Sequence, residues 1–277
     1  MDICRTTTHV VKQGDTFYKL AQRYKTTVPD IIRRNPGINP YNLQVGTRLN
    51  ICEGMPQGNR PGWPDNRPVW PGNRPVWPDN RPGMPGNRPG MPEGMPGGMP
   101  MPEDELEVNN DMRKAWTEHA FWTMIYQNSV FHELAEMEDV SMRLMQNAED
   151  VADVFENFYS GAVVNQLTRL LMEHVRLAGE IMVSMRDNTP DTEQLERQWF
   201  QNAENIARLL SNANSEYSYE ELLQALTAHL DMLKRQMLAA MNKEYENAIR
   251  LFDESLNQLL EMADYLTEGL LKQFYRS

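Results

Sequence analysis

Proline is distributed very unevenly along this chain of 277 residues, and this constrains the fold more than any other feature. Residues 55–102 hold 14 of the 18 prolines and nine of the 16 glycines. Residues 103–277 hold a single proline, Pro190. Because proline removes a backbone donor and breaks helices, we expect residues 103–277 to be helical almost throughout. The sequence therefore predicts three parts: residues 1–54, 55–102 and 103–277.

The charge follows the same division. Residues 1–54 carry a net charge of +4, whereas residues 103–277 carry −18. An acidic main part would repel phosphate groups, so we do not expect nucleic acid as a partner. No stretch reaches the ~20 apolar residues that span a bilayer. The first residues lack the apolar segment of a secretory signal, so neither a membrane span nor a signal peptide is expected.

Residues 1–54 carry the most specific pattern. His9–Lys12 alternates as a strand does, and it leads into Gly14-Asp15-Thr16, a turn that ends in a helix cap. Apolar residues then recur at helical spacing: Phe17, Leu20, Ala21 and Tyr24. A second short helix is predicted to begin near Pro29, and Thr47–Cys52 is predicted to be a second strand.

This β-α-α-β order resembles the LysM family, in the run VVKQGDTFYKLAQRY at its start and the run NPGINPYNLQVGTRLNI at its end. LysM modules bind β-1,4-linked glycans that contain N-acetylglucosamine, which are peptidoglycan in bacteria and chitin elsewhere. The resemblance implies a groove between the loop after the first strand and the loop before the second. It implies these groove residues: Gly14, Asp15, Thr16, Phe17, Asn35, Pro36, Gly37 and Ile38. The alternative is that several of them only shape turns.

The chain has two cysteines, and both lie at the outer ends of the predicted strands. If the strands pair antiparallel, Cys4 and Cys52 come close enough for a disulfide. Such a bridge would stabilise a small domain by about 2–4 kcal/mol. The alternative is two free thiols in a reducing compartment.

Residues 55–102 contain five heptads that begin at Gly58, each with an arginine and either a tryptophan or a methionine. Two prolines per heptad prevent helix formation, so the segment is predicted to be disordered with local polyproline II character. One hypothesis is a spacer that grew by duplication. The other is a multivalent segment that contacts protein partners through arginine and aromatic side chains.

Residues 103–277 contain an internal repeat of 55 residues. One recurring position is a histidine: His119, His174 and His229. A second is an asparagine: Asn147, Asn202 and Asn257, although the apolar pattern of the third unit slips by one residue there. Each unit is long enough for two helices, so we predict three helical hairpins that form an all-α bundle of six helices. Helix breaks are predicted near residues 138–139, 160–161, 188–190, 214–218 and 242–243.

The recurrent histidines lie on helix faces that are otherwise apolar, so we expect them to point inward. Inward histidines can be structural, with hydrogen bonds between helices, or they can bind iron or manganese together with carboxylates. Glu118 and Glu173, each next to a histidine, are the first carboxylates that this second interpretation would use, and Asp150, Glu180 and Glu204 are the other possible ones. In its EHxxW run from Glu118 and its EHxxL run from Glu173, the region of residues 105–275 resembles an uncharacterised helical family of spore-forming Firmicutes and, more distantly, ferritin-like metalloproteins.

Catalysis is not expected. A thiol peptidase needs a cysteine in its catalytic domain, and residues 103–277 have none. His132 and Glu133 begin an HExxH-like run that lacks the second histidine of a zinc site. Together with this, the two resemblances imply a non-catalytic protein of the cell wall or spore surface (coat or cortex) that binds peptidoglycan or a chitin-like polymer without a cofactor. The alternative is a ferritin-like protein that binds iron or manganese and is anchored to the wall by its LysM module.

Overall fold

In a computed structural model of the chain, the structure describes residues 5–38, 43–54, 103–159 and 161–275. All of these residues belong to one compact unit. The predicted disorder of residues 55–102 and the predicted bridging residue Cys4 lie outside the described residues.

The N-terminal region has the predicted β-α-α-β order. Its elements are β1 (Arg5–Val10), α1 (Phe17–Tyr24), α2 (Val28–Arg34) and β2 (Arg48–Glu53). The two strands pair antiparallel, with Thr6 opposite Cys52 and His9 opposite Leu49. The prediction of a small sheet with two helices is confirmed.

Both short helices begin at a threonine cap. The Thr16 hydroxyl accepts a hydrogen bond from the Lys19 amide at 3.1 Å. The Thr27 hydroxyl accepts one from the Asp30 amide at 3.3 Å. These bonds satisfy amides that have no partner within the helix. Apolar side chains of both helices and of β2 then form the core: Phe17, Leu20, Ile31, Leu49 and Ile51.

The region from residue 103 to residue 275 is all helical. In the described residues its helices are α3 (Glu103–Phe131), α4 (Met137–Glu156), α5 (Gly161–Asp187), α6 (Thr192–Ala213), α7 (Tyr219–Met241) and α8 (Tyr245–Tyr275). Each helix packs against the next one, and α8 packs against α3. Helix α3 also contacts α5 and α7. None of the helices in these ranges combines the length and the apolar character that crossing a bilayer requires.

One predicted helix break is wrong. The first break lies at residues 132–136, not at 138–139, because Glu133 turns the chain with a positive φ of 51°. The break predicted at residues 188–190 is confirmed, since α5 ends at Asp187 and α6 begins at Thr192. In this connection Asn188 has a positive φ of 51°, and the Thr189 hydroxyl bonds the Ser184 hydroxyl at 2.6 Å. The Ser218 hydroxyl caps α7 by accepting from the Glu221 amide at 3.2 Å.

Candidate functional site

Asp15 organises the first predicted binding loop. Its Oδ2 accepts the Lys12 amide at 2.8 Å and lies 2.7 Å from His9 Nε2, while Oδ1 accepts from Arg23 at 3.0 Å. Burial by itself would raise the pKa of Asp15, but these hydrogen bonds outweigh it and hold the pKa below its ordinary value. The carboxylate is thus committed to the fold of the loop.

Asn35 organises the second loop in the same manner. Its Nδ2 donates to the carbonyl oxygens of Ile31 at 2.7 Å and Asn50 at 2.9 Å. Its Oδ1 accepts the Asn50 amide at 2.8 Å. The side chain therefore fastens the end of α2 to the outer edge of β2. Gly37 follows with a φ of +90°, a conformation that favours glycine.

The sheet places the two loops next to each other along its length. His9, which contacts Asp15, pairs with Leu49. Asn50, which holds Asn35, is the next residue of β2 and pairs with Thr8. The two loops are thus anchored to neighbouring residue pairs of the sheet, the first loop to His9–Leu49 and the second to Thr8–Asn50.

The eight predicted groove residues divide into two groups by exposure. Asp15, Thr16, Phe17 and Asn35 are buried. Gly14, Pro36 and Gly37 are exposed, and Ile38 is half-buried. Phe17 has no exposed surface at all and belongs to the core, so its side chain supports the loop from inside. The second group, together with the loop backbone, is the part that a ligand could touch.

Helix α1 brings the first loop against the helical region, a contact that sequence reasoning missed. The Thr16 hydroxyl donates to Glu107 Oε2 of α3 at 2.9 Å. The Lys19 ammonium forms an ion pair with the same carboxylate and also donates to the Gly14 carbonyl oxygen at 3.1 Å. Lys19 therefore bridges an exposed residue of the predicted groove and a residue of the helical region.

One turn further along α3, Asp111 contacts the same helix. It accepts from the Tyr18 hydroxyl at 2.9 Å and from Gln22 Nε2 at 3.3 Å. The Tyr18 ring also stacks on Phe158 with 6.0 Å between ring centroids. Burial raises the pKa of Tyr18, and the Asp111 charge adds to this effect, so Tyr18 stays a neutral donor. The Val28 amide completes the contact by donating to the Asn157 carbonyl oxygen at 2.7 Å.

The three recurrent histidines meet inside the helical region. Ring centroids are 5.8 Å apart for His119 and His229, and 6.0 Å apart for His174 and His229. The three rings line a small cavity whose other walls carry tryptophan and aliphatic side chains: Trp116, Ala148, Val151, Leu171, Val175, Ile206 and Leu226. Burial lowers the pKa of His119 to about 4 and that of His174 to about 3. The rings are therefore neutral near pH 7.

The glutamates of the predicted metal set lie elsewhere. Glu118 accepts from Arg143 at 2.9 Å, and Glu173 pairs with Arg176 at 2.7 Å on the helix surface. Because adjacent residues of a helix diverge by about 100°, neither glutamate can follow its neighbouring histidine inward. Within the described ranges, no group of three or more His, Cys, Asp or Glu residues is placed to hold a metal ion. The joint set of histidines and glutamates is thus not assembled.

The asparagine of the repeat has a structural purpose in two of its three copies. The Oδ1 atoms of Asn147 and Asn202 lie 3.2 Å from the Nδ1 of the histidine in the same repeat unit. Each Nδ2 donates to a carbonyl oxygen of the helix that precedes it in the chain, at 3.0 Å. In the third copy Asn257 is exposed, at the point where the apolar pattern slips by one residue. Gln258 donates to the Ala225 carbonyl oxygen instead, at 2.8 Å. Within the described residues, neither ring nitrogen of His229 has a hydrogen-bond partner.

Comparison with known proteins identifies the N-terminal region. Residues 9–51 match the family model of the LysM domain. An endolysin of Bacillus phage B103 is 44% identical over 48 residues, which are 17% of this chain and 18% of the phage protein. The secreted LysM effector ELP2 of Colletotrichum higginsianum (strain IMI 349063) is 39% identical over 44 residues, which are 16% of this chain and 25% of the effector.

These relatives cover only the N-terminal region, and the matched segment makes up a quarter or less of each relative's length. No solved structure matches the chain. The resemblance of the helical region to ferritin-like and Firmicutes families stays a prediction. Residues 9–51, with their β1-α1-α2-β2 fold and two anchored loops, form a LysM domain.

Proposed function

We propose that this protein binds glycans that contain N-acetylglucosamine, with peptidoglycan as the principal ligand and chitin as its chemical analogue. The observation that carries the proposal is the LysM match over residues 9–51. The two loops of the predicted groove are held in place by buried hydrogen bonds of Asp15 and Asn35. A site whose loops are already fixed loses little conformational entropy when it binds a ligand.

The exposed loop residues suit an N-acetylated sugar. Backbone amide and carbonyl groups around Gly14 and Gly37 can exchange hydrogen bonds with acetamido groups. The half-buried Ile38 offers an apolar surface to the acetamido methyl group. In this proposal Gly14, Pro36, Gly37 and Ile38 contact the glycan, while Asp15, Thr16, Phe17 and Asn35 hold the loops.

Co-sedimentation of the full chain with insoluble peptidoglycan and with chitin tests this function. We expect Ile38→Gln to weaken retention about tenfold, because it removes the apolar contact and leaves an amide to be desolvated. Ile249→Gln is the matched control, since Ile249 is 63% exposed and lies in α8, outside both loops of the predicted groove. Failure of the folded parent chain to sediment with either polymer would refute the proposal.

The proposed role is non-catalytic. The residues that line the histidine cavity include no carboxylate and no serine or cysteine nucleophile. The carboxylates of Glu118 and Asp150 both form ion pairs with the Arg143 guanidinium, at 2.9 and 3.2 Å. Incubation with purified peptidoglycan should therefore release no more reducing ends or free amino groups than the heat-denatured protein does. A time-dependent release would contradict this part of the proposal.

We place the protein at the cell wall, and specifically at the spore surface, where the LysM domain docks and the acidic helical region is presented. The location at the cell wall follows from the proposed glycan ligand. The location at the spore surface follows from the resemblance of residues 105–275 to proteins of spore-forming Firmicutes. Immunogold labelling of sporulating cells should mark the coat or cortex, and label confined to the vegetative cytoplasm would contradict this location.

The proposal also includes a disulfide between Cys4 and Cys52, which a mass measured before and after reduction and alkylation would reveal.

A further inference from the structure

The first residues of α3 lie against the LysM domain beside the loop that carries Gly14. Contacts at Glu107 go to Thr16 and Lys19, near the start of α1. Contacts at Asp111 go to Tyr18 and Gln22, further along α1. The two helices therefore run side by side in the same direction, and Glu107 is the contact nearer to the predicted groove.

Glu107 is linked to that groove through a single side chain. The Lys19 ammonium contacts both the Glu107 carboxylate and the carbonyl oxygen of the exposed Gly14. The side chain of Glu107 remains 22% exposed after these contacts. A carboxylate offers about four acceptor positions, and the Thr16 hydroxyl and Lys19 ammonium are two donors to it. The exposed side of the Glu107 carboxylate can therefore accept further hydrogen bonds.

We propose that the glycan site is composite, with Glu107 of the helical region acting as a specificity-determining residue at the rim of the LysM groove. This inference rests on the proposed function. Glu107 accepts a hydrogen bond from a sugar hydroxyl or from the N–H of an acetamido group, both of which are neutral donors. The helical region thereby becomes part of the binding surface.

The charge arrangement is consistent with this role. A carboxylate alone at a sugar site would be costly to desolvate, but Glu107 keeps its ion pair with Lys19 when a neutral ligand arrives. Gly14, Pro36 and Gly37 stay exposed although α1 is docked on α3. The contact therefore leaves the groove open and adds an acceptor beside it.

Isothermal titration of the full chain with a soluble β-1,4-linked tetramer of N-acetylglucosamine tests the composite site. We expect Glu107→Gln to bind about tenfold more weakly than the parent, which corresponds to one charge-assisted hydrogen bond. Asp111→Asn is the matched control, because it alters the same interface one turn away from the groove. It should bind within about twofold of the parent, and both variants should melt within a few degrees of it.

The outcomes are separable. Equal affinity of Glu107→Gln and the parent overturns the composite site and leaves LysM binding intact. Tighter binding by Glu107→Gln also overturns it, because α3 would then be covering the site. Equal losses in both variants overturn it as well, since docking and not Glu107 would then be responsible. A folded parent that binds neither the tetramer nor insoluble peptidoglycan refutes the proposed function itself.

Discussion

At the scale of single residues, the LysM domain depends on two polar side chains that are almost completely buried. Asp15 and Asn35 are both buried, at 8% and 6% exposure, and each makes three contacts with named partners. A buried polar group stabilises a fold only while its hydrogen bonds are complete. These residues therefore fix the shape of the loops and leave recognition to their exposed neighbours.

Removal of the Asn35 amide should destabilise the domain strongly. Asn35→Ala leaves the Ile31 carbonyl and both backbone groups of Asn50 without this partner, at a cost of about 2–4 kcal/mol. Asn50→Ala is the control, because Asn50 contributes its backbone to this network and its side chain is exposed. Urea denaturation followed by intrinsic fluorescence should show a lower midpoint for Asn35→Ala alone. Similar midpoints for the two variants would contradict this account.

At the scale of helices, close packing of α8 depends on a glycine. A Cβ atom at Gly269 would lie 1.9 Å from Cε1 and 2.5 Å from Cδ1 of Tyr217. Tyr217 is buried in the connection between α6 and α7, and its hydroxyl donates to the Leu266 carbonyl oxygen of α8. Gly269 therefore lets the α6–α7 connection approach the helix backbone.

Gly269→Ala should accordingly lower the melting temperature, by an amount that corresponds to about 1–3 kcal/mol of overpacking. Gly179→Ala is the matched control in α5, where the added Cβ would lie 3.1 Å from Tyr126 and a small shift relieves the contact. There the gain in helix propensity, about 1 kcal/mol, offsets the crowding. Circular dichroism melts of the two variants would decide, and an unchanged Gly269→Ala would show that Tyr217 can move aside at little cost.

Local signals in the sequence were sufficient to predict the helices and strands, but they did not predict the long-range contacts between them. The β-α-α-β order follows from threonine caps, a turn glycine and apolar spacing, all of which act within a few residues. The contact between Thr16 and Glu107 joins residues far apart in the chain, and no periodicity marks either of them. Gln258 replaces Asn257 in the third repeat because its longer side chain reaches the Ala225 carbonyl from the adjacent position. The one-residue slip of the apolar pattern marks this position in the sequence, but it does not identify the side chain that makes the contact.

At the scale of the whole molecule, three neutral histidines buried together make stability depend on pH. Burial lowers the pKa of His119, His174 and His229 below the ordinary value of 6.5, to about 4 for His119. Between pH 6.5 and about 4 the unfolded chain therefore binds more protons than the folded chain. The contribution of these histidines to the free energy of unfolding is complete above pH 6.5. It is lost as the pH falls, by about 1.4 kcal/mol per pH unit for each histidine.

Replacement of one of these histidines should make the acid dependence shallower. His229→Leu removes one buried titrating group, so its free energy of unfolding should change less steeply between pH 6.5 and 4.5. His132→Gln is the control, because His132 is exposed in the turn after α3. Urea denaturation at a series of pH values gives the slopes. Identical slopes for the parent and His229→Leu would mean that His229 does not take up a proton on unfolding.

The proximity of α1 and α3 bears on how far apart the two ends of the proline-rich segment lie. The Gly54 amide donates to the Tyr24 carbonyl at one end of α1, and Glu103 begins α3 one turn before Glu107, beyond the other end. An eight-residue helix is about 12 Å long, so residues 54 and 103 are separated by little more than one short helix along this direction. The docked surfaces of α1 and α3 therefore do not require a particular number of heptads between them.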